Sequence, residues 1–173
     1  MTDAQISELW EKLPPYAPYG LTFYQDGKLW DTGHSFDPLE VWVKPHGTIE
    51  IRRYWMFNGS FKPVLRPESF LTKRLHHGME ECVPLIEIAR ASMSFPFEWE
   101  VSPGGIIMDK KRSVQFQYRG GTFYAQDLDI HETLDVNNYL AVKKAHELMI
   151  DLGGLIDKGL ALSTENFDED PYA

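Results

Sequence analysis

Cysteine is almost missing from this chain. Cys82 is the only one, so no internal disulfide can form, and a reducing cytoplasmic location is expected. Positive charge is also scarce: 17 Lys and Arg stand against 26 Asp and Glu, a formal net charge of −9. That balance disfavours nonspecific adhesion to nucleic acid or to an anionic membrane, because both would repel the protein. No apolar run approaches the ~20 residues that span a bilayer. The opening Met1-Thr2-Asp3 is acidic and lacks a hydrophobic signal region, so no export is expected.

The motifs of several chemistries are missing too. Gly104-Gly105 and Gly120-Gly121 are not followed by helices and do not make a phosphate-cradling loop. No serine lies in a strand–turn–helix elbow, and Cys82 has no partner at a metal or redox spacing. No cofactor is expected.

What is present is apolar and aromatic. Hydrophobic residues make up 43% and aromatics 13% of the 173 residues, enough for a sizeable core. The most readable stretch runs from Phe97 to Asp127 and predicts a four-stranded antiparallel meander. Its segments are Phe97–Val101, Ile106–Asp109, Ser113–Arg119 and Thr122–Asp127. The Gly120-Gly121 turn pairs Tyr118 with Phe123 and Phe116 with Ala125. A three-residue loop at Lys110-Lys111-Arg112 pairs Met108 with Val114, and the Pro103-Gly104 turn pairs Val101 with Ile106 and Trp99 with Met108. One face then carries Trp99, Val101, Ile106, Met108, Val114, Phe116, Tyr118, Phe123 and Ala125. The other carries Glu98, Glu100, Asp109, Gln115, Gln117, Arg119, Thr122 and Gln126, relieved only by Ile107 and Tyr124, and reads as wet.

Upstream, Thr2 and Gln5 form a capping box for a helix to Leu13 with Ile6, Leu9, Trp10 and Leu13 on one stripe. Pro14-Pro15 ends it, and the segment to Tyr19 reads as a rigid surface connector. Asp26-Gly27 centres a hairpin pairing Phe23 with Trp30. A second hairpin around Pro45-His46-Gly47 pairs Val43 with Ile49, Val41 with Ile51, Trp42 with Glu50 and Glu40 with Arg52. Asn58-Gly59 returns the chain through Ser60–Leu65, which Pro63 marks as an edge strand or an irregular one. Residues 66–93 predict two helices, the second about Glu80–Ser92 with Val83, Ile86, Ala89, Arg90 and Met93 on its stripe. After Asp127, Asp135 or Asn137 caps a helix to Leu152 with Tyr139, Leu140, Ala145, Leu148, Met149 and Leu152 apolar. The fold class is α+β: an antiparallel sheet of about seven to nine short strands with helices packed on one face. The domain covers residues 1–162, and 163–173 reads as an acidic, disordered tail. A ligand-binding barrel is disfavoured by the helical stretch within 67–93.

Three functional classes follow. The first is a small acidic, non-catalytic protein that binds and regulates a basic macromolecular partner, of inhibitor or immunity type. Trp42, Arg52, Tyr54 and Met56 would supply anchors, and Glu98 and Glu100 steering charge. The alternative for the four anchors is burial beneath the helices of 67–93. Self-association through Ser60–Leu65 is a further route. The second class is a metal-assisted hydrolase: in an extended segment Asp127, Asp129 and His131 point one way, and His146 lies on the following helix. Its bland counterpart is solvated acids at a sheet end. The third is a small-molecule binder with an aromatic pocket between sheet and helices.

Overall fold

The computed structural model describes residues 2–31, 40–43, 49–52, 62–78, 80–111 and 113–173; for 40–43 and 49–52 only backbone pairing is described. The fold is mixed α and β with antiparallel sheets and three α-helices among the described residues. The described strands do not form one sheet. They divide into a four-stranded sheet, a five-stranded sheet and two two-stranded ribbons. No described helix is long and apolar enough to cross a membrane.

Helix α1 (Asp3–Lys12) begins with the predicted capping box: Thr2 N–H donates to Gln5 Oε1 at 2.9 Å and Gln5 N–H donates to Thr2 Oγ1 at 3.3 Å. Strands β1 (Thr22–Gln25) and β2 (Lys28–Asp31) pair in the predicted register, Phe23 opposite Trp30. Asp26 and Gly27 take φ of 49° and 84°, which this tight turn requires. The β3 (Glu40–Val43) and β4 (Ile49–Arg52) ribbon likewise shows all four predicted pairs.

Strand β5 (Lys62–Leu65) departs from expectation. It is not an edge. It pairs with β1 on one side and, in parallel, with β13 (Leu162–Ser163) on the other. Pro63 is tolerated because the strand exchanges neighbours there: β13 pairing begins only at Val64. Lys62–Leu65 therefore offers no open edge for self-association, and Ser60 and Phe61 lie outside the described residues.

The two helices expected over 66–93 become a 3₁₀ turn (Glu68–Thr72), a hairpin of β6 (Leu75–His77) and β7 (Glu80–Cys82), and helix α2 (Pro84–Ser92). Pro84 cannot donate within a helix, so it stands in the first turn and α2 starts four residues later than predicted. Its buried face is Pro84, Leu85, Ile88, Ala89 and Ser92; of the expected stripe Ala89 and Met93 are buried, Val83 and Ile86 are half-buried and Arg90 is exposed.

The meander exists as β8 (Trp99–Ser102), β9 (Ile106–Asp109), β10 (Val114–Arg119) and β11 (Thr122–Asp127), extended by β12 (Thr133–Leu134). The β10–β11 register is the predicted one. Strand β9 is turned over. Ile107 lies opposite Val101 and Phe116, while Met108 lies opposite Glu100 and Gln115. Ile107 is fully buried and Asp109 nearly so, so Asp109 does not sit on the wet face. The cause is the Asp109 carboxylate. It accepts the N–H of Val114 at 2.6 Å, the N–H of Lys111 at 3.2 Å and the Ser113 hydroxyl at 3.2 Å. A buried carboxylate needs such donors, and taking them lengthens this loop by one residue. The loop before β9 shortens by one in compensation, so β8 and β10 keep their predicted faces. Ile107→Ala is expected to cost about 3 kcal/mol in urea denaturation, and Met108→Ala under about 1 kcal/mol. The predicted register would give the reverse order.

Helix α3 (Asn138–Glu147) is capped by Asn137, whose side chain accepts Leu140 N–H. It stops five residues short of the expected Leu152, and Met149 takes a left-handed φ of 59°. Its buried face is Ala141 and Ala145, while Tyr139 and Leu140 are exposed. Small residues there suit close packing on α2. Leu85, Ile88 and Ala89 of α2, the alanines of α3, and Ile107, Phe116, Phe123 and Ala125 of the sheet form one core.

A second core joins Leu9 and Leu13 of α1 to Tyr16, Phe23, Leu65, Met149, Leu160 and Tyr172. Tyr16 is thus no surface connector: its hydroxyl donates to the Ile150 carbonyl at 2.9 Å. Nor do residues 163–173 hang free. Tyr172 is buried, accepts Thr22 N–H at 3.1 Å through its hydroxyl, and donates to the Val64 carbonyl. Asp170 pairs with Arg66 Nε at 2.8 Å. Arg66 is fully buried between the two cores. Its guanidinium also donates to the Leu148 carbonyl (3.0 Å) and the His76 carbonyl (2.8 Å), meets His77 Nδ1 at 3.3 Å, and lies over the Tyr172 ring. A charge so deep is tolerated only with its donors satisfied.

Candidate functional site

A row of rings, Phe95 to Phe97 at 6.1 Å and Phe97 to Trp99 at 5.2 Å, leads into strand β8, along which Trp99 and Val101 share one face. Trp99 drives into the core, its ring 6.1 Å from Phe116, and Phe97 packs against it at 5.2 Å. The two ends of the row do not reach the core: Phe95 is 67% exposed and Val101 46%. Glu98 and Glu100 point to the opposite face and are exposed. Lys110 lies 2.9 Å from Glu98, and this contact holds the Glu98 carboxyl below its ordinary pKa and the Lys110 ammonium above its own.

Strand β8 is the last strand of the five-stranded sheet, with no further neighbour among the described residues. Lys110 N–H donates to the Glu98 carbonyl at 2.8 Å. In an antiparallel ladder the bonding direction alternates residue by residue. Glu98, Glu100 and Ser102 therefore turn their main-chain groups toward β9, and Trp99 and Val101 turn theirs to the open side. The edge thus offers main-chain donors and acceptors with acids on one face and apolar side chains on the other. The wet face beside it carries Gln115 and Gln126, which hydrogen-bond each other at 2.9 Å, with Gln117 in the next row.

The remaining sequence-derived candidates fall elsewhere. Trp42 and Arg52 lie in the β3–β4 ribbon, where only the backbone is described. Tyr54 and Met56 are outside the described residues. Asp127, Asp129 and His131 are not on one extended strand. β11 ends at Asp127, whose carboxylate accepts the N–H groups of Asp129 (2.9 Å) and Ile130 (3.2 Å) and so closes a turn. His131 follows with a left-handed φ of 58°. His146 packs edge-on against Tyr16, ring centroids 4.5 Å apart, and burial lowers its pKa. Among the described residues no group of three or more His, Cys, Asp or Glu side chains is placed to hold a metal ion.

One cleft was invisible in the sequence. Cys82 and His77 lie on the same face of the β6–β7 hairpin, at diagonal positions, and line a cavity of about 410 Å³ with Glu87, Arg90 and Lys144. Burial, then Glu87, pushes the Cys82 thiol up; burial, then Arg66, holds the His77 imidazole down. Both shifts oppose a thiolate–imidazolium pair.

Compared with known proteins, the chain matches no family model, no curated protein and no solved structure.

Proposed function

We propose that this is an acidic, non-catalytic binding protein that captures a basic protein partner by adding the partner's strand to the edge of β8. The observation that carries the reading is the composition of that edge. Exposed Phe95 and Val101 lie on one side, Glu98 and Glu100 on the other, and main-chain groups of Trp99 and Val101 face outward. A strand alternating basic and apolar residues is complementary to all three features. The net charge of −9 adds long-range attraction, which salt would weaken over a Debye length of ~8–10 Å. Glu98 is already paired with Lys110, but both side chains are exposed and solvent screens their attraction, so the pair yields readily to a better partner. Charged residues on an edge also discourage indiscriminate pairing, so the same two acids select for a basic strand.

Val101→Pro tests the mode of binding. Proline removes the outward N–H of the edge, while the β8–β9 bonds use the even-numbered residues and survive. Titration with a Lys-Val alternating peptide, followed by calorimetry, is expected to show at least about tenfold weaker binding to Val101→Pro, equivalent to ~1.4 kcal/mol. Unchanged affinity with an unchanged melting temperature would place the peptide elsewhere.

A further inference from the structure

The segment that follows α1 and one face of α3 line a groove of about 490 Å³ that shares no residue with the β8 edge. We propose that it binds a small aromatic carboxylate.

Its walls are apolar and flat. Pro15 and Tyr19 form one side, Tyr139 and Val142 the other. Tyr139 is the most exposed large apolar side chain among the described residues, at 75%. It stands in the first turn of α3, on the side away from Ala141 and Ala145, so core packing does not account for it. The floor is rigid. His146 lies edge-on to Tyr16, and Tyr16 is anchored through its hydroxyl to the Ile150 carbonyl. A cavity of a few hundred Å³ with mostly apolar walls and few polar groups is the usual form of a small-molecule site.

The polar groups are one-sided. Among the described residues no carboxylate lines the groove, in a chain with 26 Asp and Glu. Asn138 gives its carbonyl oxygen to Phe123 N–H at 3.2 Å, which leaves its NH₂ group as a donor. Lys143 is exposed and has no ion-pair partner among the described residues, whereas neighbouring Lys144 is held by Glu147 at 2.8 Å. The tyrosine hydroxyls can donate as well. Two aromatic walls favour a planar ring, since offset or edge-on contacts with tyrosine favour aromatic over saturated rings. An ammonium and an amide donor favour an anion on that ring.

Three probes separate the two requirements: indole-3-carboxylate, indole-3-carboxamide and cyclohexanecarboxylate, each titrated into the full chain by NMR. The carboxylate indole is expected to shift the amides of residues 138–146. The amide and the saturated acid are each expected to bind about tenfold more weakly or worse. Lys143→Gln and Tyr139→Ala should each weaken the indole acid by a similar factor. Both residues are exposed, so their melting temperatures should match the parent, which separates lost binding from lost folding. No binding by indole-3-carboxylate overturns the proposal. Equal binding of the carboxamide removes the anion, equal binding of cyclohexanecarboxylate removes the aromatic ring, and full binding by both variants moves the site.

Discussion

A chain ending at Ser163 is expected to melt far below the full-length protein, losing about 5 kcal/mol or more of stability. Two terms set that size. Tyr172 is buried in the second core, and emptying a site of that kind costs ~3–5 kcal/mol. Its removal also leaves Thr22 N–H and the Val64 carbonyl without the partner they share. Loss of Asp170 breaks the ion pair of a fully buried arginine, which by itself costs ~3–5 kcal/mol because the charge stays behind uncompensated. Against a total of ~5–15 kcal/mol for a protein of ordinary stability, the sum is close to unfolding. Thermal and urea denaturation of the two chains decide the matter. Coincident curves would mean that residues 164–173 do not dock in solution.

The second large effect is expected at Arg66. Arg66→Ala should cost about 3–5 kcal/mol in urea denaturation, since it strands Asp170 and three other acceptors and opens a hole between the cores. Arg66→Met should cost less, because a side chain of similar length fills the space with no charge to satisfy. The two predictions are coupled. In the chain ending at Ser163, Arg66→Met should be neutral or stabilising, because the lone buried charge is then the liability. If Arg66→Met costs as much there as in the full chain, the guanidinium is held by something other than Asp170.

Local rules read well where one element sufficed. The capping box at Thr2 and Gln5, the Asp26-Gly27 turn and the Gly120-Gly121 turn each landed in register because turn chemistry and side-chain alternation agree within a few residues. The β9 register did not follow, because Ile106, Ile107 and Met108 are all apolar and either parity fills a core. The deciding group is a carboxylate, and Asp109 reads as a surface residue until its three donors are seen. Docking of Asp170 and Tyr172 depends on Arg66, about a hundred residues away, and composition alone made that stretch a solvated tail. On α3 the expected Ala145 is buried together with Ala141, which the apolar stripe omitted, while Tyr139 and Leu140 stay exposed, because close packing on α2 favours small residues there. Of the candidate site, Glu98 and Glu100 were legible as exposed acids. The open edge between them was not, because strand order is a property of the whole sheet.

Amide hydrogen exchange along β8, measured by NMR with and without a Lys-Val alternating peptide, tests the central claim most directly. In the free protein the amides of Trp99 and Val101 should exchange rapidly, and those of Glu100 and Ser102 slowly, because only the latter face β9. Saturating peptide should slow Trp99 and Val101 specifically, and added salt should weaken the effect. Slow exchange at Trp99 and Val101 before any peptide is added, or fast exchange at both with peptide bound, would contradict the account.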